Sequence, residues 1–229
     1  MPTYKYETHA HTCDVSHCAK ITAAELARYY KSLGYEGIFV TNHFYNEGEE
    51  RRPAWPERIN HFCRGYEAAK AEGDKIGLAV FFGWEFSYSG TDYLTYGLDK
   101  SWLLAHKDTF DLPIREYSRQ IRSDGGFIIH AHPFREAGYI EMIRLTPREV
   151  DGVEIFNANR LDEENERAAW YAESYGLLKT AGSDTHADSQ KRFGGLVVQK
   201  RFTTVFDMIN AVKSGAAELF TEPAPAKKP

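Results

Sequence analysis

The stretch ETHAHTCDVSHCAK, Glu7 to Lys20, holds His9, His11 and His17. Imidazole nitrogens bind transition metals and move protons near neutral pH. On an extended strand, residues two apart point to the same side, so His9 and His11 would offer two nitrogen donors to one ion. Near the other end Asp184 and His186 repeat that spacing with one carboxylate and one imidazole. Between these pairs lie His43, Glu85, His130, His132 and Asn157. Such mixed nitrogen and oxygen donors suit Zn, Mn or Fe better than Ca or Mg alone. Any one of these residues alone would read as a packed or surface side chain, and that reading is kept for His61 and His106. Cys13 and Cys18 have no paired thiol spacing and read as small packing residues.

Side chains so far apart in sequence need a frame that gathers them. Short apolar runs recur along the chain: YKYETHA, GIFVTN, LAVFFGWEF, DYLTYGL, GFIIHAH, GVEIFN, LLKTAGSD and GLVV. Their length and β-rich composition predict strands. Helices are expected between several of them. Thr22 with Glu25 forms a capping box before Leu26, Tyr29, Tyr30 and Leu33. Pro56 opens a second helix that Gly73 follows; Asp162 and Thr204 are placed to cap two more, ending near Gly176 and Gly215. Alternating β and α elements predict parallel strands with helical crossovers, in a barrel or in an open doubly wound sheet. No GxGxxG follows the first strand, so a dinucleotide fold has no basis. Every polar cluster follows an apolar run on its C-terminal side, where α/β folds build their sites.

The bulk properties bound what such a site serves. The 229 residues suit one domain, and the composition, 42% hydrophobic and 27% charged, reads as globular. The expected domain covers residues 1–220, with a flexible Pro/Ala/Lys-rich tail, TEPAPAKKP, over 221–229. The net charge of −5 and the lack of a basic run argue against long nucleic acid as partner. The longest apolar run, Leu78 to Trp84, falls short of the ~20 residues of a membrane helix, and no apolar leader opens the chain. Three cysteines without a CxxC pair fit a reducing, cytoplasmic setting.

In order, the motifs HAH, TNHF, GWEF, HAHP and GSDTH resemble those of the PHP family (polymerase and histidinol phosphatase), and the likeness covers the chain from about Glu7 to Leu196. It implies an α/β fold, a distorted seven-stranded (β/α) barrel of PHP type, with two to three divalent transition-metal ions. His9, His11, Glu85 and Asp184 would hold one ion. Glu85 would bridge to a second, bound also by His132. His17, His43 and His186 would hold a third. Asn42 stands where the family often has Asp, and can still accept a hydrogen bond. A further family histidine is matched by Asp92, either an oxygen ligand or a turn residue facing water. His130 is additional and would stand behind the ligands.

The resemblance further implies a metal-dependent phosphoesterase, acting through a hydroxide that the ions generate near neutral pH. Asp184, Glu85, His130 and Arg135 are the candidate catalytic groups, and Arg135 and Arg160, on loops after metal-bearing or adjacent strands, are candidates for gripping phosphate. The expected substrate is a small phosphomonoester or a short phosphodiester. No GxSxG elbow competes as a nucleophile. An amidohydrolase-type barrel, a deaminase or amidase, is the rival enzyme; a non-catalytic metal-binding domain is the rival outside enzymes.

Overall fold

The computed structural model describes residues 3–44 and 53–225. Strand β1 (Tyr4–Ala10) pairs in parallel with β2 (Gly37–Val40), and β2 with β4 (Ala79–Tyr88), while the short β3 (His43–Phe44) lies along the end of β4. β5 (Thr91–Tyr96) runs antiparallel to β4 and to β6 (Phe127–Ala131); β7 (Gly152–Asn157) and β8 (Leu178–Gly182) then follow in parallel. β9 (Arg192–Val198) flanks β1 antiparallel and carries β10 (Glu218–Pro223) on its outer edge. An isolated parallel bridge, Ala10 to Thr185, brings the segment after β8 back to β1, so the sheet is a nearly closed barrel rather than an open doubly wound sheet.

Two expectations need correction. Among the described residues the sheet has ten strands rather than seven, and not all are parallel. Only Ser89 and Gly90 separate β4 from β5, and both have positive φ (50° and 79°). So short a turn makes a hairpin and cannot span a helical crossover. Strand β10 also continues through Thr221, Glu222 and Pro223, past the boundary expected at 220; residues 226–229 lie outside the described residues.

The helices follow local rules with two adjustments. Thr22 caps α1 (Ala23–Ser32) in a reciprocal box with Glu25. Helix α2 (Trp55–Ile76) starts with Pro56 but runs past Gly73 and stops at Gly77, whose φ is +70°. Gly73 lies inside the helix at a close approach, where a Cβ would be 2.6 Å from the carbonyl oxygen of Leu78. Helices α3 (Lys100–Ala105) and α4 (Ile114–Ser123) follow β5, and α5 (Asp162–Tyr175) follows β7. Asp162 is the first residue of α5 rather than its cap; the Glu164 carboxylate accepts from the Leu161 N–H. Helix α6 (Val205–Ser214) begins after Thr204.

Alternation along the strands sorts the core. Ile38, Val40 and Val80 pack with Leu26, Ala27 and Tyr30 of α1, whereas Phe39 and Phe81 join Tyr6, Phe127 and the α6 residues Met208, Ile209 and Val212. A third cluster sets Trp84, Phe86 and Tyr93 against Phe62, Phe110 and Tyr117. These layers hold the barrel rigid and leave the C-terminal strand ends for polar groups.

Candidate metal centre

On β1 the alternation that puts His9 and His11 on one side also includes Glu7, and all three are fully buried. His9 Nδ1 lies 2.9 Å from Glu154 Oε1. A donation there leaves the Nε2 lone pair pointing inward, 3.5 Å from Glu85 Oε1 and 3.4 Å from Asp184 Oδ1. His11 Nε2 lies 3.2 Å from Asp184 Oδ1 and 3.4 Å from Glu85 Oε2. The end of β4 supplies Glu85, whose oxygens also approach His43 Nδ1 at 2.7 Å and His132 Nε2 at 3.0 Å. Asp184 follows β8 with φ at 54°, and His132 follows β6 with φ at 26°. Both are non-glycine residues in a sparsely populated region, a pattern that clusters at functional sites.

Three groups of candidate ligand atoms result, each within 4.8 Å: His9, His11 and Asp184; His9, Glu85 and His132; His11, His43 and His186. Nε2 of His9 and Nε2 of His11 are buried with no hydrogen-bond partner among the described residues. Buried lone pairs converging on carboxylates are costly unless a cation joins them. The donors therefore fit bound metal cations.

The electrostatics divide the centre. Burial alone would depress the His9 imidazole, but Glu154, Asp184 and Glu85 outweigh it and hold His9 well above its ordinary value. Burial, with the charges of His43 and His186, takes His11 well below its ordinary value. For Glu85, burial is overcome by His43 and His9, and the carboxyl is held well below the usual range. His9 and His11 do the same to Asp184.

Orienting groups complete the set. The Glu154 carboxylate accepts from the His132 N–H and from Asn157 Nδ2, which also donates to Asp184 Oδ2. Asn42 Oδ1 accepts from the Thr12 N–H at 2.7 Å and from Ser16 Oγ at 3.0 Å; Ser16 Oγ in turn accepts from the His43 N–H and lies 3.5 Å from His11 Nδ1. Asn42 thus acts through hydrogen bonds, as its position implied. Glu7 Oε1 accepts from the N–H groups of His9 and Ser183, and Oε2 accepts from the Tyr30 hydroxyl. Burial pushes Glu7 up to about 7 despite those bonds.

Several expected residues stand elsewhere. Asp92 is buried, but its Oδ1 accepts from Ser87 Oγ and its Oδ2 lies 2.7 Å from Arg135 Nη2. It is neither in a ligand group nor a turn residue facing water. His130 is fully buried, stacked on Tyr93 at 5.1 Å and edge-on to Tyr171 at 5.7 Å. Burial and the neighbouring His132 push it down to about 3. Period two would put His130 and His132 on one side, but the backbone at His132 leaves the pleat. His17 is exposed, outside all three groups, and lines a cavity of about 110 Å³ with His43, Arg58 and His61. His106 contacts the Trp102 carbonyl on α3. Arg135 follows the His132 turn, its N–H donating to the His132 carbonyl. The Arg160 N–H donates to the Asn157 carbonyl, on the turn after β7.

Three participants escaped the sequence reading. Glu7 shares the parity of His9 and His11, which was the available signal. Glu154 is a charge inside the otherwise apolar GVEIF, a placement that demands a partner. The Cys18 thiol contacts the imidazoles of His186 and His43; they outweigh burial and take the thiol down to about 5.

No family model matches the sequence, and no curated protein matches it. Solved structures match in fold. A two-domain protein from Bacteroides vulgatus containing a predicted PHP-like metal-dependent phosphoesterase gives a TM-score of 0.70 at 14% identity, covering 96% of this chain and 65% of that one. This chain therefore spans a little under two thirds of that protein. A Bifidobacterium adolescentis protein assigned as a metal-dependent phosphoesterase gives 0.58 at 15% identity, covering 95% and 98%. An amidohydrolase from Chromobacterium violaceum, with bound sulfate and no metal, gives 0.55 at 14% identity, covering 97% and 99%. Strand-end ligand groups, near-closure at Ala10 and Thr185, and these likenesses together give the chain the (β/α) barrel fold of the PHP type.

Proposed function

We propose that the chain is a metal-dependent hydrolase of small phosphomonoesters, or of a short phosphodiester. The observation that carries this is Glu85, whose two oxygens lie among His9, His11, His43 and His132, joining the donor groups into one centre. His9, His11, Glu85 and Asp184 would hold one ion, Glu85 with His132 a second, and His43 with His186 a third. When bound, Zn, Mn or Fe ions supply Lewis acidity toward a phosphoryl group and make water acidic enough to ionise near neutral pH. The protein's own groups do the rest. Glu154 orients His9, and Asn157 orients both Glu154 and Asp184. Arg135, held by Asp92 and packed over the Tyr139 ring, offers a guanidinium edge that matches two phosphoryl oxygens. Arg160 would add a second positive group from the turn after β7.

The net charge and the absence of a basic stripe favour a small substrate over long nucleic acid. No helix among the described residues is long and apolar enough to cross a membrane, and Cys13, Cys18 and Cys63 are free thiols, as a reducing, cytoplasmic setting would keep them. The test is a panel of phosphomonoesters and short phosphodiesters run on protein reconstituted with Zn, Mn or Fe, with a chelator control. Turnover of a phosphoester that chelation abolishes is the expected result. Turnover of cyclic amides or aminopurines, with none on phosphoesters under the same metals, would replace this reading with the amidohydrolase one.

A further inference from the structure

Asp184 brings its Oδ1 to 3.4 Å from His9 Nε2 and 3.2 Å from His11 Nε2, and it does so from a backbone with φ at 54°. A non-glycine residue stays in that region only where its surroundings over-determine it. The two residues that flank Asp184 show what does so here. On one side, the Ser183 N–H donates to Glu7 Oε1 at 2.9 Å, and the same oxygen accepts from the His9 N–H at 2.8 Å. On the other, the Thr185 N–H donates to the His9 carbonyl, and the His11 N–H donates to the Thr185 carbonyl. The Thr185 hydroxyl also lies 2.6 Å from the Tyr30 hydroxyl, which donates to Glu7 Oε2 at 2.7 Å. Tyr30 has one hydroxyl proton and gives it to the carboxylate, so Thr185 Oγ1 is the donor in the other bond.

Glu7 therefore reaches both neighbours of Asp184, Ser183 directly and Thr185 through Tyr30. Every residue on this path is buried. The Tyr30 ring comes from α1 and is set edge-on to Tyr35 at 4.8 Å and to Phe193 at 6.0 Å, which fixes where its hydroxyl points. Glu7 is in none of the three ligand groups, so its carboxylate serves the backbone rather than a cation.

We propose that Glu7, relayed by Tyr30, is the positioning residue for Asp184: it holds the chain on both sides of that residue, so that the carboxylate meets His9 and His11 as one ligand set. The inference rests on metal binding at this centre and not on the reaction assigned to it. Asn157 steadies Asp184 through its side chain, at Oδ2; Glu7 steadies it through its backbone. That role needs an acceptor at Oε1 and a hydroxyl on Tyr30. It does not need a charge facing the ion.

The experiment loads the full chain with Co²⁺ and follows chelator competition together with the visible d–d absorption of the bound ions. Asp184→Asn identifies the class of ion that depends on Asp184. Tyr30→Phe keeps the ring and removes the relay. It should weaken that same class by about three- to tenfold and shift its d–d band, with the other ions and the circular dichroism unchanged. Glu7→Leu fills the space without an acceptor and should weaken the class by about 10- to 100-fold, whereas Glu7→Gln, which keeps the Oε1 acceptor, should bring it back to within about threefold. Tyr35→Phe is the control: it removes a hydroxyl of the same aromatic group that has no hydrogen-bond partner among the described residues, and every ion should bind as in the wild type. If Glu7→Leu does not fold, Tyr30→Phe decides alone. A folded Tyr30→Phe with wild-type affinity and spectrum overturns the assignment. So does one in which all ions weaken together, which is what a merely structural role would produce. The expected pattern in a protein that turns over no phosphoester would strike the proposed reaction and leave the role of Glu7 standing; turnover with an unaltered Tyr30→Phe would strike that role alone.

Discussion

His9 lies on β1 and His11 just past its end, on the same face, yet their surroundings differ. Around His9 stand Glu85, Glu154 and Asp184; around His11 the rings of His43 and His186 join Glu85 and Asp184. The first flank is rich in negative charge and in hydrogen bonds that fix each ligand. The second is largely imidazole and opens toward the more exposed Cys13 to Lys20 loop. The same residue type thus meets two surroundings: chiefly carboxylates on one side, and carboxylates joined by two further imidazoles on the other.

The sharpest way to break this division is to remove the residue both flanks use. Glu85→Gln should lower kcat by roughly 100- to 1,000-fold and reduce the bound ions on both sides, with the fold retained by circular dichroism. A variant that loses ions from the His9 flank alone would show that Glu85 does not join the two. Next in size is Glu154→Gln, which touches only the His9 flank. Chelator competition should show about 10- to 100-fold weaker metal affinity there and unchanged affinity at the imidazole flank. Uniform weakening would mean that the flanks are not separable.

Asp92→Asn tests whether its carboxylate serves metal or arginine. Ion content should stay the same, while KM for a phosphoester rises roughly three- to tenfold at near-constant kcat as Arg135 loses its anchor; loss of an ion equivalent would restore Asp92 as a ligand. The smallest effect should come from Asp207→Asn, far from either flank. Bonds from Thr203 and Thr204 hold the Asp207 carboxyl down to about 2. Its stabilisation is present above the ordinary carboxyl range and is lost as pH falls toward 2. At neutral pH solvent screening should keep the cost to roughly 0.5 kcal/mol or less, or about one to three degrees in Tm by calorimetry, with kinetics untouched. A change in ion content in that variant would mean that stability and the centre are coupled.

Much of the centre was legible because two regularities coincide in it. Strand alternation paired His9 with His11, and metal-type residues ended successive apolar runs. Where the chain leaves those regularities, the reading failed. The direction of β5 depended on the Ser89–Gly90 turn rather than on the pattern of DYLTYGL. Helices α3 and α4 went unread: α3 has only six residues, and α4 starts behind Pro113 with Tyr117, Ser118 and Ile121 as its buried face. Periodicity alone could not fix how His130 stands to His132, because it cannot foresee the backbone at His132.

The seam that closes the barrel also sets when the centre can exist. Thr8 Oγ1 donates to the Ala181 carbonyl across 173 positions of sequence, and the Ser183 N–H donates to Glu7 across 176. Contacts of such long range form late, because the loop entropy must be overcome before they contribute. His9 and His11 emerge first from synthesis and wait for Asp184, their partner near the far end. A cation gathered by both ends therefore cannot guide early folding. Its binding free energy falls on the finished state, where it slows unfolding and leaves the folding rate little changed.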